Sequence, residues 1–258
     1  MNILSAIILG LVEGLTEFLP ISSTAHLIIT SKLMQIPQSD FQKFFEVFIQ
    51  SGAILAVLFL FGKYILKHLY LIKQIIFSFI PTAIIGFLLY KVIKTIFFES
   101  NNLIIGTIFF IGLIFILVEY LIKKKKIHIN KSISLIRWKD AIIIGLAQSL
   151  ATIPGVSRSG IVMVTMMIMG YKREESAIYS FLLAVPTILA ASAYDVFKMK
   201  DVLMFSQSQY MYLIVGFIVS FVFASLSVKW LILFLQKKTL IPFGIYRVGL
   251  AISLLFIM

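Results

Sequence analysis

Cysteine is absent from this 258-residue chain, which excludes disulfides, thiolate catalysis and cysteine-held metal. Charge is sparse as well: 13% of residues are Asp, Glu, Lys or Arg, against 60% hydrophobic, where a water-soluble domain carries about twice that charge. Histidine occurs three times, so few places offer an imidazole acid or base. No Pro-, Gly- or Ser-rich linker divides the chain, and residues 1–258 therefore read as one integral membrane domain with no room for a soluble catalytic unit. Acidic residues are outnumbered 11 to 23 by basic ones, for a net charge of +12. The basic residues sit between apolar runs, which fits cytoplasmic loops lying on anionic lipid and excludes a nucleic-acid partner. The apolar N-terminus lacks basic residues before Lys32 and is interrupted by Glu13. It is expected to stay in the mature protein rather than act as a signal peptide.

What the chain has is hydrophobic length, with a mean hydropathy of +1.05. Six stretches are long enough to cross a hydrocarbon core: Phe44 to Gly62, Ile75 to Lys94, Leu103 to Ile122, Ser176 to Tyr194, Tyr210 to Val228 and Ile241 to Ile257. Two more, Met1 to Leu33 and Asp140 to Gly170, are broken by polar residues and by Pro20 or Pro154 and Gly155. Lysine clusters at 63–73, 123–139 and 229–238 place three loops in the cytoplasm, and the mixed-charge loops near Asp40, Glu99 and Asp195 outside. That alternation closes only if each broken segment returns to the side it left. The expected fold is thus all-α and polytopic, with six transmembrane helices and two re-entrant helical hairpins. A single tilted, proline-kinked span over Met1 to Leu33 is the alternative.

The broken segments also resemble one another. AIILGLVEGLTEFLPISSTAHLIIT from Ala6 aligns without gaps on AIIIGLAQSLATIPGVSRSGIVMVT from Ala141, pairing Gly10 with Gly145, Leu15 with Leu150, Ser22 with Ser157 and Thr30 with Thr165. We expect an inverted-topology repeat, with repeat 1 over about 1–122 and repeat 2 over about 140–258. Such repeats place a site near the midplane where broken helices meet.

Chemistry concentrates at the two breaks. Glu13 and Glu17 stand one helical turn apart on one face. Each costs at least about 2.5 kcal/mol inside a bilayer, so a divalent cation, a shared proton or an arginine must offset it, unless both lie at a water-exposed helix end. Ser22, Ser23 and Thr24 follow Pro20 where a helix should begin, a position that caps backbone N–H groups and attracts anions. His26 lies within a turn of Ser22 and Ser23, so a hydroxyl activated by histidine is geometrically allowed. His68 and His128 lie in basic loops and are expected to be solvated. Arg158, between Ser157 and Ser159, brings a forked phosphate ligand to the second break. Its alternative role is a plain ion pair to a glutamate. Together these residues suit an amphiphile with a phosphate head and a hydrocarbon tail.

EGLTEFLPISSTAH (Glu13 to His26) and PGVSRSG (Pro154 to Gly160) resemble the two signature segments of the bacitracin-resistance type undecaprenyl-diphosphate phosphatases, and the resemblance runs along the whole chain. It implies an inner-membrane hydrolase that removes one phosphate from undecaprenyl diphosphate, recycles the lipid carrier for cell-wall synthesis, and works at a site open to the outer face. Bacitracin would compete by binding that substrate, and homodimer formation is left open. By position, the resemblance implies Glu13 and Glu17 as metal-linked catalytic acids holding Mg²⁺ or Ca²⁺ and His26 as catalytic histidine. It implies Ser22, Ser23 and Thr24 as the hydroxyl run, and Gly155, Ser157, Arg158 and Ser159 as the diphosphate-binding segment. Ser23 is the expected nucleophile, with water the alternative. The chain departs from the family pattern at Val162, where a threonine is usual, so no hydroxyl role falls there. A transporter or flippase of a polyprenyl-phosphate lipid is the competing function. Lipid phosphatases that need two histidines at the site fit less well, because only His26 qualifies.

Overall fold

The computed structural model describes residues 1–37, 39–92, 100–199 and 206–256. Among these residues ten α-helices follow one another: α1 (Ile3–Thr16), α2 (Ser23–Leu33), α3 (Asp40–Lys67), α4 (Tyr70–Val92), α5 (Asn101–Lys123), α6 (Trp138–Ser149), α7 (Arg158–Ile168), α8 (Arg173–Met199), α9 (Gln207–Lys237) and α10 (Ile241–Leu254). Among the described residues there is no strand, only an isolated bridge between Lys131 and Tyr171. Among the described residues five helices, α3, α4, α5, α8 and α9, are long and apolar enough to cross a membrane, and the chain is a multi-pass membrane protein. The sixth stretch, expected to span from Ile241 to Ile257, is α10, whose 14 residues fall short of a crossing. Lys94, Glu99, Lys200, Asp201 and Ile257 lie outside the described residues.

The helices begin and end where the sequence chemistry directs. Asn2, Ser39, Ser100 and Ser206 cap α1, α3, α5 and α9 by accepting from a backbone N–H of the first turn. Lysine occupies the last turn of α3, α5 and α9, at Lys67, Lys123 and Lys237, where it complements the helix dipole. Two carboxylates tie neighbouring ends together, Glu119 buried and Glu175 half-buried. Glu119 on α5 receives Arg173 of α8 and the Leu240 amide at the start of α10 (2.8 Å). Glu175 on α8 accepts from Ser132 and from the Ile133 amide.

The two broken segments become the pairs α1–α2 and α6–α7, with matching backbones. Ser22 (φ 73°) and Ser157 (φ 72°) both enter the second helix of their pair through the left-handed region. Gln35 (φ 53°) and Gly170 (φ 95°) leave it the same way. Each of these pairs is 135 residues apart, the offset that aligns Ala6 with Ala141. Packing partners exchange likewise: α1 lies on α9 and α6 on α4, while α5 crosses α10 and α3 contacts α8. A Cβ at Gly10 would come within 2.6 Å of the Gly216 carbonyl, and one at Gly145 within 2.1 Å of the Ser78 carbonyl. Only glycine permits such backbone contact.

Both ends of the α6–α7 pair meet one loop. The Lys131 amide donates to the Gly170 carbonyl (2.9 Å), and the Lys172 amide donates back to the Lys131 carbonyl (3.0 Å). Tyr171 donates to Asp140 in the first turn of α6 (3.0 Å). Burial and that carboxylate raise the Tyr171 phenol above its ordinary range, which keeps it a donor.

The Glu119–Arg173 pair yields a test. Glu119→Ala leaves a largely buried guanidinium without its partner and is expected to cost about 3 kcal/mol, read as a lower unfolding midpoint in detergent. Replacing Arg173 by Met in the same protein should recover part of that loss; no interaction in the double-mutant cycle would contradict the role assigned to the pair.

Candidate active site

Gly10 and Gly14 let α1 sink onto the backbone of α9, where a Cβ at Gly14 would sit 2.5 Å from the Ser220 carbonyl. That contact turns the acidic face of α1 inward. Glu13 is 0% and Glu17 9% exposed, so neither lies at a water-exposed helix end. Each Glu17 oxygen has a partner: Ser23 Oγ donates to its Oε2 at 2.5 Å, and Arg158 Nη2 reaches its Oε1 at 3.2 Å. Glu13 differs, because no donor reaches either of its oxygens. Its counterpart in the second pair, 135 residues on, is Gln148, a neutral side chain that donates to Thr82 (2.9 Å) and Thr187 (3.2 Å).

The second break meets the first here. Arg158 opens α7, donates to the Ser180 carbonyl (3.0 Å) through Nη1, and spans to Glu17 through Nη2. The ion pair weighed as an alternative role for Arg158 is therefore present. Ser159 Oγ crosses to the Leu19 carbonyl (3.0 Å), and Ser157 Oγ caps α7 by accepting from the Gly160 amide (3.3 Å). Gly155 holds φ +90°, and a Cβ there would lie 2.2 Å from Thr107 Oγ1, so the turn requires glycine. Between the pairs lies a cavity of about 140 Å³ lined by Glu17, Ser22, Ser23, Thr24, Gly155, Ser157 and Arg158, with Gln50 of α3 at its wall. The N-termini of α2 and α7 both open on it. Ser22 makes no side-chain cap to α2, which leaves first-turn N–H groups of that helix for an anion. Val162 is buried in the core.

His26 is placed differently from the expectation. Its Nδ1 lies 2.7 Å from the Ser22 carbonyl and its Nε2 2.6 Å from Tyr246 Oη, with the two rings stacked. The base within reach of Ser23 is Glu17. The left-handed Ser22 orients the first turn so that the imidazole folds back on its own helix start, and α10 supplies the second partner.

The acidic pair fits a divalent cation in one respect: a buried carboxylate with two unpartnered oxygens beside a second carboxylate is what an oxygen-seeking ion takes. Among the described residues no three His, Cys, Asp or Glu side chains form a metal cluster. Glu13 and Glu17 would therefore hold such an ion together with substrate or water oxygens.

Four residues of this region escaped the sequence reading: Tyr246, Arg247, Gln50 and Gln148. Arg247 was within reach, since a charge inside an apolar stretch marks a functional position; nothing local singles out the others. A carbonyl can only accept, so in the neutral ring of His26 the proton sits on Nδ1 and Nε2 accepts from Tyr246. ¹⁵N spectra of labelled histidine should show that tautomer, and Tyr246→Phe should shift the Nε2 resonance; a ring protonated on Nε2 alone would contradict the geometry.

Comparison with known proteins places this arrangement. The chain is 48% identical over 262 residues to an undecaprenyl-diphosphatase of Persephonella marina, covering 100% of both chains. It is 48% identical over 252 residues to one from Sulfurihydrogenibium, covering 98% of each. It is 46% identical over 259 residues to one from Wolinella succinogenes, covering 99% of this chain and 98% of the relative. The profile of the family described as bacitracin resistance protein BacA matches residues 6–253, and the chain belongs to that family.

Proposed function

We propose that this protein hydrolyses undecaprenyl diphosphate to undecaprenyl phosphate and inorganic phosphate. The observation that carries the reading is the junction of Ser23, Glu17 and Arg158 at a cavity faced by two helix N-termini. A hydroxyl already bonded to a carboxylate is poised to lose its proton, and an arginine with opposed N-termini suits a diphosphate. The full-length relatives carry the same activity in their names. Transport without hydrolysis is less favoured, since it has no use for a hydroxyl bonded to a base.

In this reading Arg158 and the N–H groups opening α2 grip the phosphates. Glu17 takes the Ser23 proton, the Ser23 Oγ–P bond forms on the terminal phosphorus, and the anhydride P–O bond breaks with its electron pair leaving on undecaprenyl phosphate. Water then opens the phosphoserine and releases phosphate. Glu13 and Glu17 are the residues that would hold Mg²⁺ or Ca²⁺, which when bound would supply charge neutralisation for the diphosphate. Tyr246 holds His26 outside the reacting pair, where it positions Ser22 through that carbonyl.

The same reading extends to topology. The matched left-handed residues, the exchanged packing partners and the shared loop of α6–α7 support two re-entrant hairpins within an inverted repeat. The lysine-bearing ends of α3, α5 and α9 mark the cytoplasmic side, and the cavity serves the outer side of the inner membrane.

Phosphate release from undecaprenyl diphosphate by the purified protein tests this directly. Release should depend on divalent metal and stop with EDTA, and Glu17→Gln and Ser23→Ala should each slow it about 100-fold or more. Full activity in Ser23→Ala would transfer the attack to water. Lipid movement between leaflets with no phosphate released would replace the hydrolase by a transporter.

A further inference from the structure

Arg247 is the largest fully buried side chain of the protein among those described, at 0% exposure in the middle of α10. No carboxylate pairs with it among the described residues. Its guanidinium instead contacts four main-chain carbonyls: Nε donates to Ile108 (3.3 Å), Nη1 to Pro20 (3.3 Å), and Nη2 to Gly155 (2.5 Å) and Thr107 (3.5 Å). Phe115 covers it, with the ring centroid 5.5 Å away. Pro20 and Gly155 are 135 residues apart, so one side chain grips the equivalent carbonyl in each of the two breaks. Each carbonyl lies two residues before the left-handed serine that starts its helix, Ser22 or Ser157.

The approach of α10 makes this reach available. At its crossing with α5, a Cβ on Gly112 would come within 2.9 Å of the Gly244 carbonyl and 3.0 Å of the Arg247 Cβ, and one on Gly244 within 2.8 Å of the Gly112 carbonyl. Two glycines thus bring the backbones together and leave the guanidinium to lie between the turns. A buried cation without a counter-ion is expensive, and an arginine kept there needs a purpose beyond packing.

We propose that Arg247 is a positioning residue: it sets the register between the Ser23 and Glu17 half of the site and the Arg158 half by holding the Pro20 and Gly155 carbonyls at once. It touches neither Ser23 nor Glu17, so it acts through the turns. The planar fork is essential, because donors must point to carbonyls on both sides of the junction, and a lysine ammonium lacks that geometry. The proposal rests on the phosphatase reading above.

The test compares wild type, Arg247→Ala and Arg247→Lys for phosphate release from undecaprenyl diphosphate, with unfolding midpoints in detergent and with methylguanidinium added. Wild type must release phosphate; if it does not, the functional reading falls rather than this inference. In the folded variants kcat should drop about 100-fold, as about 1 Å of misplacement does, with KM moving by less than about three-fold. Methylguanidinium should restore the alanine variant about ten-fold or more and leave the lysine variant unchanged. A merely structural residue would not show that rescue. Either folded variant within about three-fold of wild-type kcat overturns the proposal. So does loss of fold in both variants, because anchoring of the helices would then account for the residue.

Discussion

Burying a charge in an apolar surround is costly, and the Arg158–Glu17 pair is where this protein offsets that cost by joining two such charges. Neither α1–α2 nor α6–α7 supplies the counter-ion for its own Glu17 or Arg158. The arginine belongs to one and the carboxylate to the other, so the two must meet before either is stable in an apolar surround. Ser159 and the Leu19 carbonyl add a second cross-link at the same junction. The position of the cavity follows from that meeting.

The short helices matter as much as the charges. A helix of 11 residues cannot cross a bilayer, so α2 and α7 begin inside the protein and their first N–H groups need acceptors there. The two starts are treated differently. Ser157 caps α7, whereas Ser22 makes no side-chain cap to α2. In the proposed reading the two helix pairs divide the work: α1–α2 would contribute acids, hydroxyls and uncapped N–H groups, and α6–α7 an arginine on a closed turn. Gln148 in place of a second glutamate belongs to the same division, because it satisfies Thr82 and Thr187 without adding negative charge.

Close backbone contact holds the arrangement together where no side chain could. Gly10 and Gly14 on α9, Gly145 on α4 and the Gly112–Gly244 crossing each place a carbonyl where a Cβ would collide. In lipid there is little hydrophobic gain from helix association, so such contact and the polar links between helices set the packing. Arg247 exploits the last of these crossings to reach both turns. The acidic face of α1 and the register of the site thus depend on residues with no side chain at all.

The amino-acid sequence by itself determined the class, the breaks and most of the chemical groups. Hydrophobic length identifies a membrane chain because backbone polar groups in lipid require long helices. Repeated polar motifs identify Glu13, Glu17, Ser23 and Arg158 because such residues persist in apolar segments only where they are paired or used. Arg247 was legible by the same rule. Partnerships were decided only by tertiary structure. His26 lies three residues from Ser23 in the chain, yet it bonds Tyr246, 220 residues away, while Ser23 turns to Glu17. Local spacing limits which groups can meet, but the left-handed turn at Ser22 and the approach of α10 choose among them, and both depend on contacts far apart in sequence.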